Sequence, residues 1–404
     1  MTRATQTPPE PGLRMAELDG IRALAILLVV SFHSWYFLQF LMPTTEAFLA
    51  FSDSLPWLLG FIRRGDLGVD IFFVLSGYLL SSQLFKKRMK SGHINVKRFY
   101  AHRFFRIYPL YFIALLLAFI DGGITWKILG NLLAYNIWTD AANIIIPWTW
   151  SLSVELQFYA LVPLLILLVR GGKTLAMLST ACALLTVGWS YWILTAHPQL
   201  ASQSLIDLKL AGKDDDIALF YKYLYVAMPV RLSQFTFGMA GAWVVLHYAT
   251  SLSKIGGVTK IMLVILILLG AGLPLVHNPF TNLTDTYRPI VYFELLFGRV
   301  TFAAAIALMI VLLHANTLPR LKNFLSLRFL EPIARFSFSM YLFHPIFIYL
   351  GIVAFIGTDK TETISVLQYA GVVSVAILGS MLFGFITWHV IERPAIRFAR
   401  KKFG

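Results

Sequence analysis

Residues 17–35 read ELDGIRALAILLVVSFHSW, in which the apolar run that begins at Ile21 is interrupted by two ionisable side chains, Arg22 and His33. Eleven positions separate them. At 100° per residue the direction returns to within about 20°, so both side chains share one helix face, roughly 16 Å apart along the axis. A cation near one edge of a hydrophobic segment and an imidazole deep inside it are costly in hydrocarbon, and such groups face a bundle interior where they do work.

The rest of the chain supports a membrane reading. Of its 404 residues 58% are hydrophobic and 13% charged, and the mean hydropathy is +0.72. That leaves too little polar surface for a soluble protein of this size. The first apolar segment is longer than the core of a signal peptide and ends in Trp, Tyr and Phe, so it reads as a retained anchor. The single cysteine, Cys182, lies in an apolar run and can form neither an intrachain disulfide nor a thiolate metal cluster. A formal net charge of +14 would suit nucleic acid in a soluble protein. In a membrane protein basic residues collect on the cytoplasmic side, so no nucleic-acid partner is expected and anionic lipid is.

Apolar windows fall at 20–41, 67–85, 107–120, 151–169, 174–194, 223–248, 259–275, 291–314, 336–356 and 366–389. They predict an all-α polytopic bundle of about ten spans. Residues 128–150 are apolar but broken by Asn, Asp and Pro, as in an interfacial or re-entrant piece. Basic residues crowd 86–106 (Lys86, Lys87, Arg88, Lys90, Lys97, Arg98, Arg103, Arg106), 320–335 and the tail from Arg393 to Lys402. The other loops hold Glu46, Asp53, Asp66, Asp207, Asp214, Asp215, Asp216 and Asp285. The asymmetry predicts both termini in the cytoplasm. The expected division is a cytoplasmic tail at 1–18, one membrane domain at 19–392 and a basic tail at 393–404, with no appended soluble module.

Several side chains are candidates for chemistry. A neutral histidine in a dry site accepts a proton near neutral pH, which suits His33 to general-base work, or else to packing between helices. Arg103 and Arg106, three apart in RFFR, share one face at the expected start of a helix, where backbone donors would assist a phosphate site. Lipid headgroups would meet the same residues. Glu155 follows Trp148 and Trp150 at the expected outer end of a span; it could orient a histidine or hold a sugar hydroxyl beside the indoles, or serve as a structural hydrogen-bond partner. Asp70, Arg231, Glu294, Arg299 and His344 also lie in or beside spans, where mutual neutralisation competes with chemistry. His389 and Glu392 end the last span, which Pro394 is expected to stop. No GxSxG, HExxH, Walker loop or metal-spaced Cys/His set occurs, so neither a metal nor nucleotide hydrolysis is expected.

In this order, ELDGIRALAILLVVSFH, GVDIFFVLSGYLL, RFFR followed by IYP, WSLSVE, SFSMYLFH and IERP resemble the acyltransferase 3 family of bacterial membrane acyltransferases, which includes glycan O-acetyltransferases. The resemblance covers nearly the whole chain. It implies a multi-pass protein of the bacterial inner membrane that takes an acyl group, usually acetyl, from cytoplasmic acyl-coenzyme A to a hydroxyl of a surface glycan or its lipid-linked precursor. Carried onto this chain, it implies donor contacts from Arg98, Arg103 and Arg106, with Arg22 as a further candidate. Catalysis would fall to His33, oriented by Glu155, with Arg22 in support, by direct transfer or through an acyl-histidine. Acceptor contacts would come from Trp148, Trp150, Asp70, Tyr341 and His344. Where many relatives carry an acidic residue this chain has Gln234 in RLSQF, and the extracellular SGNH hydrolase-like domain of some members is not expected. An exporter of the same fold, without acyl transfer, is the competing class, since intramembrane charges also mark transport paths.

Overall fold

Helices dominate because a backbone in hydrocarbon must satisfy its own hydrogen bonds, and the apolar windows are long enough to do so. The computed structural model describes residues 15–118, 126–139, 144–275, 280 and 288–404. Asp285 and residues 1–14 of the expected N-terminal tail lie outside these. Eleven helices carry the architecture: α1 Ala16–Leu41, α2 Leu67–Ser91, α3 Val96–Ala118, α4 Trp150–Leu168, α5 Gly172–Ala196, α6 Leu232–Leu252, α7 Gly257–Gly272, α8 Arg288–His314, α9 Leu330–Phe355, α10 Val366–Thr387 and α11 Arg393–Phe403. Among the described residues there is no strand. Among the described residues nine segments are long and apolar enough to cross a membrane, with α10 and α11 forming one of them. The chain is a multi-pass membrane protein.

Packing proceeds from α1 outward. α1 lies against α2 and α9; α6 packs on α2, α5 and α8; α7 packs on α8; and α10 closes on α9. α7 has no buried residue, so its Ile261, Met262, Leu266 and Leu269 face outward, as a lipid-facing helix requires. Lipid is as apolar as leucine, so helix association depends on close backbone approach and on polar pairs. The crossing of α2 and α6 uses both. A Cβ on Gly77 would strike the Phe235 carbonyl and one on Gly238 the Val74 carbonyl, so these two glycines set the approach.

Three expectations from sequence need correction. The third span begins at Val96, where Asn95 caps the first turn by accepting from the Arg98 amide at 2.8 Å. Arg103 and Arg106 therefore sit inside a helix whose amides are already bonded, and no free helix N-terminus assists them. The window 223–248 is not one helix: a π turn at Phe220–Tyr225 and a 3₁₀ turn at Met228–Arg231, containing Pro229, precede α6. Pro394 does not end the last helix. A π turn at Trp388–Glu392 shifts the register, Pro394 enters the first turn of α11, and the helix continues to Phe403. Segment 128–150, expected as an interfacial or re-entrant piece, holds in its described part a short helix, Trp126–Leu132, and 3₁₀ turns tied by side-chain amides: Asn136 Nδ2 donates to Asn131 Oδ1 at 2.8 Å, and Gln157 Nε2 to the Ala134 carbonyl at 2.6 Å.

Gly238→Val should cost about 1–3 kcal/mol by overpacking the α2–α6 crossing. It would be read as a lower midpoint of thermal unfolding of the purified protein in lipid nanodiscs. Gly188→Val, where a Cβ meets nothing, should leave the midpoint in place.

Candidate active site

Helical periodicity places one stripe from each of several helices around a single cavity of about 240 Å³. From α4 come Ser151, Glu155 and Tyr159, each four residues from the last and so on one face. α2 supplies Val69, Phe73, Ser76, Leu80 and Gln83 at spacings of three and four. α3 contributes Arg103, Arg106 and Ile107; α9 contributes Ser337, Phe338 and Tyr341; α1 contributes Arg22. Measured along α2 from Val69 to Gln83, the lining extends about 21 Å, most of a hydrocarbon thickness.

Charge is unevenly distributed along it. Three guanidinium groups, Arg22, Arg103 and Arg106, share the cavity with one carboxylate, Glu155, a formal excess of two positive charges. Glu155 Oε1 accepts from the Ser76 hydroxyl and the Tyr159 phenol. Arg22 bonds Asp19 at 3.5 Å and lies within electrostatic reach of Arg106 and Glu155. The Arg103 Nε is buried with no hydrogen-bond partner. Unpaired cationic donors in a dry cavity are held at a cost that an anion relieves. Among the described residues no group of three His, Cys, Asp or Glu side chains is placed to hold a metal ion.

At the far end the cavity closes on hydroxyl groups. The Tyr341 phenol bonds the Ser151 hydroxyl at 2.7 Å and donates to the Trp148 carbonyl. One turn further along α9 is His344, fully buried. Its position follows from Pro345: proline has no N–H, so it leaves the Tyr341 carbonyl without its helical donor, and His344 Nδ1 takes that carbonyl at 2.9 Å. A carbonyl only accepts, so His344 Nδ1 carries the hydrogen and Nε2 the lone pair. That Nε2 is 3.1 Å from His33 Nδ1, which also faces the Val29 carbonyl at 3.0 Å. By the same reasoning His33 Nδ1 is the donor. His33 Nε2 keeps its lone pair and has no hydrogen-bond partner among the described residues.

A second cluster frames the first. Asp70, with no exposed surface, accepts from Arg231 at 2.8 Å, Arg299 at 2.6 Å and Gln234 at 2.7 Å. Asp66 accepts from Arg64 at 3.2 Å and Arg299 at 3.3 Å, and Arg64 also reaches Glu294 at 3.4 Å. Three arginines thus meet three carboxylates. The Arg231 guanidinium lies 4.8 Å from the Trp150 ring, bracing the first turn of α4 just before Ser151 and Glu155 reach the cavity.

The sequence-derived candidates therefore divide. Arg22, Arg103, Arg106, Glu155 and Tyr341 line one cavity, and His33 and His344 pair beside it, with the Trp148 ring 5.9 Å from His344. Glu155 and His33 are not partners, since each is held by other groups. Asp70 and Trp150 belong to the ion cluster, and Arg98 lies outside the cavity at the start of α3, where His102 has Arg98, Arg103, Lys87 and Arg400 within electrostatic reach. Ser76, Ser151 and Tyr159 escaped attention, although the four-residue spacing of 151, 155 and 159 was a readable signal for two of them.

A family model described as an acyltransferase domain matches residues 15–385. The chain belongs to the acyltransferase 3 family. Among its relatives, a putative membrane-bound transacylase of Komagataeibacter xylinus is 27% identical over 42% of this chain and 45% of that protein. A peptidoglycan O-acetyltransferase of Listeria monocytogenes is 24% identical over 81% of this chain and 48% of that protein. A putative O-acetyltransferase of Staphylococcus aureus is 30% identical over 38% of this chain and 24% of that protein. The matches span less than half the length of each of these relatives. No solved structure matches the chain.

Removing the carboxylate from the framing cluster should be severe. Asp70→Ala leaves Arg231 and Arg299 facing each other and should cost about 3–5 kcal/mol. A wild-type unfolding midpoint for this variant would show that the cluster does not hold the fold.

Proposed function

We propose that the protein is an O-acyltransferase that moves an acyl group, acetyl in the simplest case, from coenzyme A on the cytoplasmic side to a hydroxyl of a glycan or its lipid-linked precursor. The observation that carries this reading is the cationic cavity whose wall residue Tyr341 lies 6.3 Å, ring to ring, from His344, the partner of His33. Family membership and the names of the relatives support the reaction class.

A coenzyme thioester needs anion contacts at one end and a narrow channel at the other. Arg103 and Arg106, with Arg22, supply the first; the α2 and α9 stripes supply the second. The loose cluster of Lys87, Arg98, His102 and Arg400 at the start of α3 extends positive charge beyond the cavity mouth and suits the more distant phosphates. When bound, the donor supplies an activated acyl carbon and a thiol leaving group. His33 Nε2 would take the hydroxyl proton as the acceptor oxygen bonds to that carbon, the carbon–sulfur bond would break, and the proton would pass to the departing thiolate, while His344 would hold His33 in the required tautomer. Glu155, bonded to Ser76 and Tyr159, offsets part of the arginine charge and so lets the guanidinium groups share one cavity, a positioning role. α6, added to the nine apolar segments, gives an even number of crossings, which puts both termini on the side of the basic α11.

His33→Ala should lower acetyl transfer from acetyl-coenzyme A about 10²–10⁴-fold, the usual yield of general-base catalysis, without loss of membrane insertion. A fully active purified variant would overturn the base. Changing Arg103 and Arg106 together to Gln should weaken coenzyme A binding at least tenfold in calorimetry; unchanged affinity would remove the donor site from this cavity. Mass spectrometry of envelope glycans from cells with and without the gene should show a loss of one acetyl unit on a defined sugar. Identical glycans would favour an exporter or another acceptor class.

A further inference from the structure

A second cavity, of about 190 Å³, opens at the far end of α1, between that helix and the segment 205–221. Its wall is aromatic and its rim polar. The Tyr36 and Tyr221 hydroxyls touch at 2.9 Å, and Phe40, 66% exposed, stands edge-on to the Tyr36 ring at 6.0 Å. Lys209 Nζ is 3.4 Å from Gln39 Oε1 and 5.6 Å from the Phe40 ring, and Asp214 completes the rim. One atom here is unaccounted for: the Gln39 Nε2 is buried and has no hydrogen-bond partner. A buried amide donor without an acceptor is destabilising, and a ligand oxygen would relieve it. Burial and the neighbouring Tyr36 push the Tyr221 phenol well above its ordinary range, so it stays a neutral hydroxyl donor.

We propose that this cavity is the acceptor subsite and holds one neutral pyranose ring of the glycan. The inference rests on the acyl-transfer reading above and adds where the acceptor sits. A pyranose presents an apolar C–H face and a rim of hydroxyl groups. Phe40 and Tyr36 match the face, while Gln39, Lys209, Asp214 and Tyr221 match the rim, with donors and acceptors both present. Its position fits the reaction. Tyr36 is three residues beyond His33 on α1, about 4.5 Å along the axis, and Phe32 bridges the two, lying 5.3 Å from the His33 ring and stacked on Tyr36 at 5.7 Å. The cavity wall at Tyr36 therefore stands within one helical turn of His33, measured along α1, with the Phe32 ring between them. An acyl chain would match the aromatic wall and leave the Gln39 amide, Lys209 and Asp214 without function.

The test uses the full-length protein in lipid nanodiscs, free of sugar-headed detergent, titrated with β-1,4-linked tetrasaccharides of glucose and of N-acetylglucosamine. Trp35, in the cavity wall, provides the fluorescence signal. At least one tetrasaccharide should bind saturably, and Phe40→Ala and Gln39→Leu should each weaken it tenfold or more. Phe40 is exposed enough that its truncation removes no core. Failure of both sugars to bind, unchanged affinity in both variants, or quenching by n-decanol in place of the sugars would overturn the proposal. Coenzyme A titrated into the same wild-type sample reads the donor cavity separately. Protein that binds coenzyme A and neither sugar sinks this inference alone, and protein that binds sugar but no coenzyme A sinks the donor assignment alone.

Discussion

Ionised groups inside a hydrocarbon slab must be neutralised or put to use, and this chain does each in a different place. Around Asp66 and Asp70 the balance is complete. Three arginines answer three carboxylates, and the aromatic faces of Trp150 and Tyr225 cover the remaining guanidinium surface. The cluster joins α2, α6 and α8 with the turn before α2, so the helices that frame the bundle are fixed by contacts that hydrophobic matching to lipid cannot supply. Around Glu155 the balance is left open. The same element, α2, passes from one region to the other within two turns, from Asp70 to Ser76, so the neutral cluster fixes the wall of the charged cavity.

Burial of this kind also explains the geometry of the histidine pair. Two imidazoles 3.1 Å apart cannot both carry charge without strong repulsion, and each has a backbone carbonyl that fixes which nitrogen holds its hydrogen. The outcome is a directed chain from the Val29 and Tyr341 carbonyls to one unengaged nitrogen on His33. Pro345 takes part by what it lacks, since an N–H at that position would claim the Tyr341 carbonyl and leave His344 to rotate. Helix irregularity here acts as an orienting device for a side chain one residue away.

The helical class, the membrane setting and the positions of most long helices were legible in hydropathy and length, because those depend on local composition. So was the common face of Arg22 and His33. Partner choice was not legible, because His33 and His344 are 311 residues apart and the Ser76–Glu155 contact spans 79. Periodicity gives a stripe its direction along one helix and says nothing about which stripe it meets. The misplaced boundaries have local causes. At α3 the Asn95 cap outweighed the charge of Lys97 and Arg98, whose long side chains reach polar surroundings from inside a helix. At Pro394 a π turn absorbed the missing hydrogen bond that proline otherwise imposes.

Gln234 illustrates how the two charge regimes are kept apart. Its Nε2 donates to Asp70 Oδ1 at 2.7 Å, on the same oxygen that Arg231 engages. Glutamate in that place would bring a fourth carboxylate against Asp70, and the cluster would need either a proton or another cation. An amide satisfies the oxygen at no charge, so the neutral count of the cluster survives. Gln234 also sits next to Phe235, whose carbonyl receives the close approach of Gly77, so its side chain is aimed by the tightest backbone contact between α2 and α6. Gln234 is thus bound up with the framing cluster and does not line the cationic cavity. A substitution at this position bears first on how neutrality is reached, and reaches the cavity only through the helices that the cluster holds.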